Sequence, residues 1–246
     1  MNTEQKLQKN FIENKNVFQA EAFFLDLSKK MYDQTFIAEN PVLNPEISSS
    51  SLKKIVGEYS GLIYAIVGFL SKARYRLKGY SDIASELDNN ISEERGSRTQ
   101  GISHQALFSG GVLREKGIAL SEMPWGETTL NFLNRIDDVL SKGSRSQVAG
   151  VAYALEATAV PELQVIEKIF SKIPSVRTPA DLQTGLDTFI SMHINDFEPG
   201  HRDRLAVALS KYLENNTFDP RAFQQAFQMV LDAMDLWWAQ LAKVEA

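Results

Sequence analysis

The sequence predicts an all-α protein folded as one helical bundle, on three observations. Glycine and proline are few, 14 and 8 in 246 residues, and they concentrate in a few places. Between those places the apolar residues recur at i, i+3, i+4 and i+7, which puts them on one face of a helix, rather than in the alternation of a half-buried strand. The intervening loops are short and evenly spread, with no internal repeat, low-complexity tract or linker to separate two cores. Residues 1–246 therefore read as a single domain, with 1–12 as a flexible N-terminal extension.

An opening helix is predicted over Glu13–Phe36. It ends at NPVLNPEISSSS, whose prolines stop one helix and whose serines cap the next. Leu52, Ile55, Val56, Tyr59, Leu62, Ile63, Ile66, Val67 and Leu70 then form one continuous stripe, the mark of a long central helix. A third helix covers Asp82–Arg95, followed by a polar, glycine-containing stretch and a short helical segment at His104. Further helices are predicted over Glu127–Leu140, over Arg145–Phe170 with a kink or break at Pro161, over Ala180–Glu214 and over Pro220–Val244. The last starts with Asp219 as N-cap and Pro220 at the first helical position, where a missing N–H costs nothing. Phe223, Phe227, Trp237 and Trp238 within it read as core, and Lys72, Arg74, Arg76, Arg95 and Arg98 as solvated faces.

Composition removes several functions. The chain has no Cys, which excludes disulfide frameworks and every thiolate-based metal or nucleophile site and fits a reducing compartment. With 26 basic against 31 acidic residues it exerts no general pull on nucleic acid. The first residues, MNTEQKLQKN, lack the apolar region of a signal peptide, and the longest apolar run, Leu62–Leu70, is about half of what a membrane helix needs. A cytoplasmic protein without membrane insertion is expected.

The chemistry lies in carboxylates and imidazoles on apolar faces. Tyr80, Ile83, Leu87 and Ile91 form a stripe into whose middle Glu94 projects, while Glu93 points about 100° away. A carboxylate so placed is costly unless it is paired, protonated or bound to a metal. In VAGVAYALEATAV every side chain except Glu156 is uncharged, so the helix is buried all round and Glu156 must face something that compensates it; Ala152, Ala157 and Ala159 leave room beside it. In the segment HINDFEPGH, the stripe of Leu182, Leu186, Phe189, Ile190, His193 and Phe197 is displaced by about 100° from that of Leu205, Ala208, Leu209 and Tyr212. That displacement is the angular signature of one inserted residue, a π-bulge, with Pro199 as a cause. Correcting for it returns Glu198 and His201 to the face of His193; without the correction, Asp196 is the rival carboxylate. Together with His104 these make three carboxylates and three imidazoles pointing inward from separate helices, the ligand inventory of a di-iron or di-manganese site. The residual positive charge would favour an anionic ligand such as a substrate carboxylate.

At these residues the sequence resembles the heme-oxygenase-like diiron oxidases, and more closely the proteins similar to the Chlamydia protein associating with death domains (CADD-like). NISEERGSRTQGISHQALF resembles that family's Glu-then-His segment, YALEATAVPEL its second Glu helix, and His193, Glu198 and His201 its His-x3-Asp/Glu-x2-His motif. The departure is the spacer of four residues, not three, between His193 and Glu198, which keeps Asp196 open as the alternative ligand. The resemblance implies a heme-oxygenase-like bundle of about seven helices. It places two irons, with manganese as the alternative, among Glu94, His104, Glu156, His193, Glu198 and His201. It implies dioxygen as co-substrate, a small organic substrate, and a homodimer, the usual state of the fold. Members of the family oxidise fatty acids, amino acids, amine nitrogens or one of their own tyrosines; the apolar Leu62–Leu70 tilts the expectation toward a fatty acyl or other largely apolar carboxylate. Thiamin-pyrimidine hydrolases of the same fold are a second class, and in their usual form they need a Cys nucleophile, which this chain lacks. A metal-free helical interaction module remains the alternative, to be separated by metal analysis.

Overall fold

A computed structural model describes residues 19–31, 39–176 and 185–244, and among them no strand occurs. The helices are α1 (Ala20–Met31), α2 (Ser49–Arg76), α3 (Ser81–Glu94), α4 (His104–Gly111), α5 (Glu127–Lys142), α6 (Arg145–Lys172), α7 (Leu186–Met192), α8 (Glu198–Glu214) and α9 (Pro220–Leu241). A π-helical turn, His193–Phe197, joins α7 to α8 in one rod, and a second, Val112–Lys116, extends α4. The all-α bundle is as expected. Of the opening helix predicted over Glu13–Phe36, the described part is Ala20–Met31; the 1–12 extension and Leu182 lie outside the described residues.

The helix starts follow the chemistry of their caps. Ser48 accepts from the Ser51 amide at 3.1 Å at the head of α2, and Asp219 from the Arg221 amide at 2.9 Å at the head of α9, with Pro220 in the first turn. Ser144 and Gln147 close a reciprocal capping box on α6.

At the centre of the bundle lies α6, whose residues Val148 to Thr158 are all buried. It packs against α2, α8 and α9. The helix runs unbroken through Pro161, so of the kink or break expected there the break does not occur. Proline removes one backbone donor, but a helix enclosed by neighbours on several sides is held by its packing, which outweighs the loss of that single bond. Gly150 sets how closely α9 approaches: a Cβ there would lie 2.3 Å from the Phe223 carbonyl oxygen. Trp237 stacks on Phe132 with centroids 4.4 Å apart and donates to the Thr129 hydroxyl at 2.9 Å, while Trp238 stacks on Tyr59. The basic residues of α2 serve its outer face. Lys72 pairs with Asp137 and Arg74 with Asp88, and Arg76 caps the end of α5 by donating to the Leu140 and Gly143 carbonyls. No helix among the described residues is long and apolar enough to cross a membrane.

Candidate metal centre

Glu94 is the last residue of α3. The chain must then reverse to bring back His104, and Gly96 makes this possible: its φ is +101°, and a Cβ would come within 2.6 Å of the Ile102 carbonyl oxygen. Ser103 caps α4, so His104 enters as its first residue and sets Nδ1 3.1 Å from Glu94 Oε1. His193 reaches the same place from the rod. Its Nδ1 donates to the Phe189 carbonyl at 2.7 Å, which fixes the tautomer and leaves the Nε2 lone pair 2.9 Å from His104 Nδ1. One ligand atom from each of Glu94, His104 and His193 lies within 4.8 Å of the others.

The second group depends on the π turn. The extra residue in His193–Phe197 rotates the rod before α8 begins at Glu198, as the displaced stripes predict, and Pro199 falls in the first turn of α8, where the ladder is already interrupted. His201 Nδ1 then sits 3.4 Å from Glu156 Oε2 and 3.8 Å from Glu198 Oε2. These three buried residues again offer one ligand atom each within 4.8 Å. Asp196 is placed elsewhere: it is exposed and accepts a hydrogen bond from Arg98 at 2.6 Å. Of the two rival carboxylates, the structure brings Glu198 to the group.

The electrostatics describe a site short of positive charge. Burial pushes the Glu198 carboxyl up to about 7 and that of Glu162, which sequence reasoning missed, up to about 8. Burial would lower the pKa of His201, but Glu156 and Glu198 hold it up at about 11. Burial and the neighbouring His104 press His193 down to about 4, so its ring is neutral at pH 7. His104 Nε2 is buried without a hydrogen-bond partner among the described residues. Crowded carboxylates and an orphaned ring nitrogen are costly in a core, and each cost falls if a divalent cation is shared among them. Either group could hold a metal ion, and carboxylate with imidazole suits iron or manganese.

Glu94, His104, Glu156, His193 and Glu198 line one cavity of about 60 Å³. Its other wall is apolar, from Leu62, Ile63, Ile66 and Leu70 of α2 and Leu155, Ala159 and Leu163 of α6, so of the three small neighbours noted beside Glu156 it is Ala159 that opens onto it.

An outer layer braces the groups. His201 Nε2 lies 3.0 Å from Glu93 Oε2, and Arg98 reaches Glu93, Asp196 and the face of Phe197, which itself stacks on His104. Glu93 points away from the α3 stripe as predicted, yet toward a helix that begins more than a hundred residues later, and nothing local in the sequence signals that contact. A carboxylate behind a ligating imidazole orients the ring and raises its basicity. Glu93→Gln is accordingly expected to weaken metal binding at the His201 group by about tenfold or more, read by competition with a chelator. Unchanged affinity would leave Glu93 a surface partner only.

The comparisons with known proteins concern the fold and the family. A CADD-like protein of unknown function from Nostoc punctiforme PCC 73102 is similar over nearly its whole length. Its 2.00 Å crystal structure matches with a TM-score of 0.79 and 29% identity, covering 91% of this chain and 97% of that one. The 1.35 Å structure matches with a TM-score of 0.77 and 28% identity over 92% and 98%. No curated protein matches. Residues 26–244 match the family described as a Domain of Unknown Function with solved-structure structure (DUF3865). On that match, which takes in all six of the residues gathered here, the chain belongs to the DUF3865 family.

Proposed function

We propose that this protein is a non-heme diiron oxidase or oxygenase of the heme-oxygenase-like type, using dioxygen to oxidise a small organic substrate. The observation that carries the reading is the pair of three-residue groups, Glu94–His104–His193 and Glu156–Glu198–His201, of which all but His201 line one cavity and His201 lies against Glu156 and Glu198. Two irons, or iron and manganese, would be held by these six residues and would supply the reduction of dioxygen that no side chain performs alone. The protein's own residues do the rest. Phe189 keeps His193 in the tautomer that presents Nε2, Glu93 orients His201, and the apolar wall from α2 excludes water and receives the hydrocarbon part of the substrate. Three carboxylates offset three of four metal charges, and the remaining positive charge favours a substrate that carries a carboxylate.

The test is anaerobic loading with ferrous iron followed by oxygen exposure in a stopped-flow instrument, with a panel of fatty acids and amino acids. About two equivalents of bound iron and a transient absorbance dependent on oxygen are expected. A protein that binds no iron under these conditions would instead be a helical interaction module.

A further inference from the structure

Glu162 belongs to neither ligand group. It sits on α6 with 2% of its surface exposed, lines the same cavity, and its Oε2 has no hydrogen-bond partner among the described residues. The Thr158 hydroxyl one turn earlier helps to hold the carboxyl, yet burial still pushes it up to about 8, the behaviour of an acid for which the fold supplies no cation. Its surroundings narrow what it is for. Among the described residues, the lining besides Glu162 and the ligand groups is hydrocarbon with the hydroxyl of Tyr59, and it contains neither Lys nor Arg. A carboxylate at this end of the cavity would meet another acid and no cationic partner. An ammonium or amine would meet a free carboxyl oxygen in a low-dielectric wall, where a charge-assisted hydrogen bond is strongest.

We propose that Glu162 receives the amine nitrogen of the substrate, and that this substrate is a primary amine on a short apolar body. The proposal rests on the cavity being the oxidase site argued above, and it favours an amino acid or alkylamine over a fatty acid. The body lies along Leu62, Ile63, Ile66 and Leu70, of which Ile63 and Ile66 are half-buried and mark the mouth. The enclosed volume of about 60 Å³ is less than half of the ~150 Å³ that accepts benzene, so only a few carbons are enclosed.

The experiment is calorimetric titration of hexylamine, hexanol and hexanoate into the protein, both free of metal and loaded with ferrous iron. Wild type without metal is expected to bind the amine about tenfold more tightly than the alcohol, and the acid more weakly than either. Glu162→Gln should reduce the amine to the affinity of the alcohol while leaving the alcohol within about twofold and the iron content unchanged. Glu162→Met, which removes the buried acid without opening a hole, provides the same reading should the Gln variant misfold. Equal affinity for amine and alcohol in wild type, or an amine preference that survives both substitutions, overturns the proposal. The two readings fail separately: amine selectivity without iron uptake sinks the oxidase assignment alone, and iron uptake without amine selectivity sinks this one alone.

Discussion

His201→Ala is expected to lower the iron retained after anaerobic loading and desalting from about two equivalents to one or none, and His193→Ala to do the same from the other group, because each removes a primary ligand. The groups should also differ in their response to pH. His193 is neutral at pH 7, held down by burial and by His104, and has no proton to give up. Burial would lower the pKa of His201, yet Glu156 and Glu198 keep its proton on up to about 11, so a metal must displace that proton to use the ring. Affinity at the second group therefore rises with pH, by up to about tenfold per unit while one proton is displaced. In His201→Ala the remaining site should show a flatter profile. Metal analysis and ferrous-iron titrations at several pH values check both statements. Equal iron in wild type and both variants would remove the assignment of these imidazoles as ligands.

Trp237→Ala should produce the largest loss of stability, with the metal site left in place. The indole is 1% exposed, lies flat on Phe132 with an interplanar angle of 3°, packs beside Trp238, and satisfies its N–H on Thr129. Truncation removes the burial and the stacking, leaves a cavity, and strips the buried Thr129 hydroxyl of its donor, at a cost of about 3–5 kcal/mol. For a chain of this size that is a fall in Tm of roughly 6–20 °C, measurable by calorimetry on matched metal-free samples. A shift of only a degree or two would mean that α5 and α9 close over the hole.

The class of the fold and most of the candidate ligand groups are legible in the sequence. Helical periodicity is a local property, written in every turn, so α2, α3, α5, α6 and α9 are readable directly, as are caps such as Asp219. The same holds for the anomalies. A carboxylate on an apolar stripe marks Glu94, a lone charge on a helix buried all round marks Glu156, and two stripes out of phase by one residue mark the π turn that brings Glu198 and His201 into place. Applied six residues further along α6, the reasoning that found Glu156 also reaches Glu162, since a stretch of helix buried on several sides leaves no solvated face for an acid.

Other features were decided only by the tertiary structure, because they depend on which helices become neighbours. Spacing alone kept Asp196 and Glu198 both open; the choice is made where Arg98, from the loop before α4, draws Asp196 outward. Glu93 acquires its role from α8 packing against α3, a contact with no local signal. Pro161 reads as a break because propensity treats a helix as if it stood in water. In α6, burial on several sides supplies more stabilisation than one lost backbone bond removes. Periodicity tells which way a side chain points, and only the packed bundle tells what it meets there.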